Sequence, residues 1–120
     1  MPEIYAKCCD ECIIVATADE VSARSACAMG NKMINWGIKE EKIRLIINRF
    51  DKKAVKRGKL LNIDDIIDKT YIRLLGIVPE EKNLMYASVT EKAFSVNSDV
   101  KMAFSNIAGR ILGKEIELYL

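Results

Sequence analysis

Histidine is absent from the 120 residues. That excludes imidazole metal ligands and a histidine general base, so any chemistry must rest on cysteine, lysine, carboxylates or backbone. Proline and glycine are scarce, at two and six, so no flexible Pro/Gly-rich linker divides the chain. No apolar run approaches the ~20 residues that cross a bilayer. The opening "MPEIYAKCCDE" carries acids and no apolar h-region, so no secretory signal is expected there. A cytoplasmic chain with reduced thiols follows as the expectation. The two common phosphate-binding glycine signatures, G-x-x-x-x-G-K-[ST] and G-x-G-x-x-G, are missing. So are a serine elbow and any Cys/His pair. Nineteen basic against seventeen acidic residues give a net charge of +2. That balance gives no reason to expect nucleic acid or membrane as a partner.

What is present reads as one α/β domain over residues 1–120, with half its residues hydrophobic. Three short apolar runs stand out: Cys12–Thr17 (CIIVAT), Lys42–Arg49 (KIRLIINR) and Ile72–Pro79 (IRLLGIVP). Short runs without strict alternation predict parallel strands buried on both faces. Helical patterns lie between and after them. The first runs from Ser22 to about Asn35, with Glu20 and Ser22 at its start and Ala23, Ala26, Cys27, Met33 and Ile34 on one side. Gly37 is its expected left-handed stop. A short helix is predicted from Asn62, its cap, to about Lys69, with Ile63, Ile66 and Ile67 as the apolar face. Another is expected from Glu80 to about Val89. The last runs from Ser98, its expected cap, to Leu112, with a stripe of Val100, Phe104, Ile107, Ala108, Ile111 and Leu112 and a stop at Gly113. Alternating strands and helices predict parallel βαβ units, with ligand contacts at the strand C-termini. Residues Phe50 to Asn62 read as a long loop carrying Lys52, Lys53, Lys56, Arg57 and Lys59. A solvated loop is the simpler expectation, and a phosphate or acidic-lipid contact the alternative.

Three of the four cysteines, Cys8, Cys9 and Cys12, crowd one stretch, and Cys9 and Cys12 have C-x-x-C spacing. A thiolate metal site needs tetrahedral convergence. Here Cys12 begins a strand whose side chains point into a sheet face, so ordinary small apolar packing is expected and no metal.

Several blocks resemble the C-terminal half of the MinD/ParA group of P-loop ATPases, the septum-site-determining type above all. "INRFDKKAVKRGKLLNIDDII" followed by "LLGIVPEE" carries the family's N-R-[YF], V-x-R-G-x-[ML]-L, [SN]-[IMV]-[ED]-D-[VI] and G-[VI]-[VI]-P-[ED]-[ED] elements. "CDECIIVATADEVSARSA" and "AFSNIAGRILGKEIEL" resemble its flanking segments, so the likeness covers roughly residues 5 to 118. The resemblance implies three parallel strands with flanking helices, a fragment of a doubly wound P-loop NTPase sheet. It implies that Asn48 reads the adenine edge of ATP or ADP, since an amide offers donor and acceptor side by side. It implies that Pro79, Glu80 and Glu81 wrap the base, with Arg57 and Gly58 as a nearby loop anchor. Glu20 and Ser22 match a dimer and partner face. The phosphate-binding lysines, switch aspartates and Mg²⁺ ligands of the family are not in this sequence, so ATP hydrolysis by this chain alone is not expected. Asp19 stands where the family has proline, and "VTEKA" at Val89–Ala93 departs from its N-x-G-x-P. The family's basic membrane helix has no counterpart in "EIELYL". The expected partners are an N-terminal P-loop half, a Min/Par-type regulator, or a second copy through the exposed edge of the first strand. The alternatives are an interaction module without nucleotide and, less favoured, a cysteine-based metal or redox protein.

Overall fold

The computed structural model of the chain describes residues 3–81 and 98–113. Its elements are α1 (Glu3–Lys7), β1 (Cys12–Ala16), α2 (Glu20–Asn35) and a 3-10 turn (Glu40–Lys42). There follow β2 (Ile43–Phe50), α3 (Lys52–Lys56), α4 (Ile63–Thr70), β3 (Arg73–Pro79) and α5 (Ser98–Ile111). Of the expected helix from Glu80 to Val89, Glu80 and Glu81 are described and are not helical, and the rest lies outside the described residues, as does Val89–Ala93.

The three strands form one parallel sheet in the order β1-β2-β3. This is the predicted fold class. Each apolar run became a strand within one residue of its expected ends, because β-branched side chains suit a pleated, buried surface. One face of the sheet carries Cys12, Ile14 and Ala16 of β1 with Ile43, Leu45 and Ile47 of β2. They share a core with Ala26 and Met33 of α2 and Ile66 of α4. Leu45 and Ile47 are fully buried, and each such side chain contributes about 2 kcal/mol through its removal from water. The other face holds a smaller core, Leu75, Val78 and Ile107 of α5 with Ile46 against it.

Strand β3 changes phase partway. Leu45 pairs with Leu74 but Ile46 with Gly76, so Leu75 is an extra residue in the ladder. This bulge lets Leu74 and Ile77, three apart, join the same core while Leu75 and Val78 face α5.

Four expectations need correction. β1 is not buried on both faces. Its burial alternates, and Ile13 and Val15 remain 39% and 60% exposed. The reason is coverage: α5 packs on β3 and leaves that face of β1 open. The stretch Phe50–Asn62 is not all loop, since Asp51 caps α3 within it by accepting from the amides of Lys53 and Ala54. The stripe on α5 is narrower than expected. Val100 and Ile107 are buried, whereas Phe104, Ala108, Ile111 and Leu112 are exposed. On α2 the buried positions are Ala23, Ala26, Gly30 and Met33, with Ile34 exposed and Cys27 half-buried. The cap role expected of Ser98 falls on a side chain outside the described set. Gly37 and Gly113, at φ 92° and 87°, end α2 and α5 as expected.

Candidate functional site

The C-terminal edge of the sheet gathers most of the residues singled out from the sequence. Asn48 lies two residues before the end of β2, and Pro79 ends β3 opposite Phe50. The two strand ends are stitched together. The Glu80 amide donates to the Phe50 carbonyl at 3.0 Å, and Arg49 Nε donates to Glu80 Oε2 at 3.1 Å. Glu81 follows directly and is half-buried. Asn48 is also half-buried, and among the described residues its amide has no hydrogen-bond partner. A side-chain amide at a strand end, with donor and acceptor both unspent, is what recognition of a planar heterocycle edge requires.

Between Asn48 and Phe50 the backbone departs from a regular strand. Arg49 has φ 54°, the left-handed region, and the ladder shifts between Ile47 and Phe50. A non-glycine residue held there stores roughly 1 kcal/mol or more, and such strain clusters at ligand sites. Nothing in the local sequence signals it, because arginine has no preference for this region.

Arg57 and Gly58 finish α3. Arg57 donates its amide to the Lys53 carbonyl, and the Gly58 amide donates to Val55. The loop beyond them is tied toward the first strand, where the Leu61 amide donates to the Ala18 carbonyl at 2.9 Å. This places the α3–α4 connection beside the turn that follows β1.

That turn holds Glu20 and Ser22, the expected partner face. Both are engaged within the chain. Glu20 Oε1 accepts from Lys69 Nζ at 3.1 Å and lies 3.8 Å from Arg24. Ser22 Oγ accepts from the Thr17 amide at 2.9 Å. The organising residue is Asp19, which in the sequence stands out only where the resembled family has proline. Its carboxylate accepts from Thr17 Oγ1 at 2.5 Å and from the Ser22 amide at 2.8 Å, capping α2. The T-x-D-x-x-S spacing was the available signal. The Thr17 hydroxyl, then the Ser22 amide, hold the Asp19 carboxyl below its usual range of about 3.8. A depressed folded pKa contributes stability that is present above the unfolded value and lost as pH falls through the folded one. Asp19→Ala should cost about 1 kcal/mol at pH 7. Asp19→Asn should cost less, because an amide still caps, and should flatten the acid limb below about pH 4. Urea melts at pH 7 and pH 3 check both.

The cysteines do not form one packed group. Cys8 and Cys9 are exposed, which corrects the expectation of apolar packing for them, and only Cys12 is buried. The Cys9 thiol donates to the Tyr5 carbonyl at 3.0 Å. Burial, then the neighbouring Cys9, push the Cys12 thiol up despite Lys42. A raised thiol pKa disfavours the thiolate that metal binding and nucleophilic chemistry need.

Behind the site, Arg44 of β2 is 7% exposed, its Nη1 near the Arg110 carbonyl at the end of α5 (3.5 Å) and near Glu11 (3.6 Å). Arg110 Nη1 donates to the Leu75 carbonyl at 2.9 Å. Burial, then Arg44, lower the Arg110 pKa. These two arginines fasten α5 to the sheet.

Among known proteins, MinD of Thermotoga maritima, a septum site-determining protein, is 33% identical over 111 residues, covering 90% of this chain and 41% of that protein. MinD of Bacillus subtilis is 32% identical over 114 residues, covering 91% and 41%. The chain thus spans about two fifths of the length of these relatives. Among solved structures, the MinD cell division protein of Aquifex aeolicus superposes with a TM-score of 0.88 at 25% identity, over 98% of this chain and 50% of that one. The MinC:MinD cell division protein complex of the same organism gives 0.83 at 26% identity, over 92% and 46%. No family model matches the chain. Matched along nearly its whole length by MinD proteins, in sequence and in fold, the chain corresponds to the C-terminal region of the MinD family of septum site-determining proteins.

Proposed function

We propose that this chain supplies the adenine-side half of a MinD-like nucleotide switch in cell division, with ATP or ADP as the ligand. The observation that carries this is the Asn48 side-chain amide at the C-terminal edge of the sheet, without a hydrogen-bond partner among the described residues, beside a Pro79–Glu80 turn pinned to β2 by two hydrogen bonds. Ligands of open α/β sheets bind at that edge. Glu80 and Glu81 wrap the base chiefly through backbone, the Glu80 carboxylate being held by Arg49. Phosphoryl transfer requires a phosphate cradle and Mg²⁺ ligands. A P-loop region, which these 120 residues do not contain, therefore completes the switch. Mixed with the separately produced P-loop region of a MinD relative, the chain should restore nucleotide-dependent ATPase above either part alone. A mixture no more active than the P-loop part would count against the proposal.

A second reading, a protein-interaction module that does not bind nucleotide, draws on the open side of β1. Its edge is unpaired among the described strands, and Ile13 and Val15 face outward beside it. Unpaired edges with apolar neighbours recruit further strands. The occupant is the P-loop half, a Min-type regulator docking near Glu20 and Ser22, or a second copy. Light scattering of the chain alone should show association rising with concentration, and Val15→Lys should suppress it. A wild-type monomer at high concentration would contradict the edge as an association surface.

A further inference from the structure

A concavity lies at the end of the sheet opposite Asn48, about 15–20 Å from it along β2 at ~3.3 Å per residue. It measures about 360 Å³, within the range of small-ligand pockets, and sits between the end of α2, the 3-10 turn and the α4–β3 junction. Its apolar lining comes from Ile34, Ile43 and Ile72, and its polar lining includes Glu40, Glu41, Tyr71 and Arg73.

Three observations set it apart from a simple surface dent. First, α2 ends at Asn35 and α4 at Thr70, so two helix C-termini bring partial negative charge to this side. Secondly, Glu40 and Glu41 are exposed and make no ion pair among the described residues. Thirdly, Tyr71 is 80% exposed yet held at φ 57°, closing α4 through its amide to the Ile67 carbonyl at 2.9 Å. Glycine would take that conformation without strain. A strained, exposed aromatic at the mouth of a cavity is favoured where the ring has a use.

We propose that this pocket binds an organic cation of amino-acid size, a guanidinium head on an apolar stem. The stem lies against Ile34, Ile43 and Ile72. The head meets Glu40 and Glu41, with the Tyr71 ring available for a cation–π contact. Arg73 bars a second positive charge and accommodates a carboxylate. The chemistry has two sources, free arginine or an arginine side chain of a partner protein, and Arg73 tells them apart. The proposal stands independently of nucleotide binding.

The test is an amide NMR titration of the full 120-residue chain with L-arginine, with N-acetyl-L-argininamide and with the neutral isostere N-acetyl-L-citrullinamide. Saturable shifts confined to Asn31, Glu40, Glu41, Tyr71 and Arg73 are expected for at least one arginine compound and not for citrulline. A Glu40→Gln/Glu41→Gln variant, exposed and unpaired and so expected to fold, should weaken binding about tenfold. Tighter binding of L-arginine that Arg73→Gln abolishes identifies a free amino acid. Equal or tighter binding of the amide identifies a partner's side chain. Absence of saturable shifts, equal response to citrulline, or indifference to the double variant would overturn the proposal.

Discussion

Gly76→Ala is expected to lower stability by about 2–3 kcal/mol, the range for overpacking a filled core, and the melting temperature by roughly 10 °C. A Cβ on Gly76 would overlap Ile107 Cγ1 outright and stand 2.9 Å from Cδ1 of the same side chain. Helix α5 rests directly on this bare strand position, and Ile107 is buried among Leu75 and Val78. The isoleucine has nowhere to turn, so α5 must lift from β3. The double variant Gly76→Ala/Ile107→Val removes the Cδ1 contact and should recover part of the loss, giving a favourable coupling in a double-mutant cycle. Additive effects in thermal melts would mean the helix does not sit where it is described.

Arg44 separates packing from charge. Its side chain is buried, its Nε has no hydrogen-bond partner among the described residues, and its Nη1 contacts at 3.5 and 3.6 Å are long. A second guanidinium, Arg110, lies nearby, its pKa lowered by burial first and then by the charge of Arg44. The charge is therefore a poor source of stability, while the stem fills space between β2 and α5. Arg44→Ala should cost about 3 kcal/mol, as a truncated buried side chain does. Arg44→Met keeps the stem, removes the orphaned donor and ends the repulsion, so it should be within about 1 kcal/mol of wild type. Chemical denaturation of the two variants decides the matter. Equal losses would assign the stability to the ion pair and the α5 carbonyl contact instead.

These two sites show where the sequence was legible and where it was not. The strands could be read because runs such as Leu45–Ile47 have no polar face to hide. Caps such as Asn62 and stops such as Gly37 are local chemistry, and both are found as expected. Helix α3 is not legible because its five residues, KKAVK, are all apolar or basic and carry no stripe, and its only signal is Asp51 at the cap. The buried side of α5 was misjudged because the helix has more apolar residues than one strand can cover. Gly76 brings the helix down on Ile107 and Arg110 and leaves Phe104 and Ile111 outside. At the candidate site, Asn48 and Pro79 lie near or at the ends of β2 and β3, where the apolar runs stop. The left-handed Arg49 and its bond to Glu80, 31 residues away, are products of strand pairing that no local pattern announces.

The proposed function turns on Asn48 as the reader of adenine. The most direct measurement is nucleotide affinity of the chain reconstituted with a MinD P-loop region, for ATP and GTP, with Asn48 and with Asn48→Ala. Removing one amide from a two-point hydrogen-bonded contact costs about 1–3 kcal/mol, or roughly 10- to 100-fold. Wild type should prefer ATP, and Asn48→Ala should lose this preference by weakening ATP while GTP binding stays nearly unchanged. Unaltered ATP affinity and unaltered discrimination in the alanine variant would contradict it.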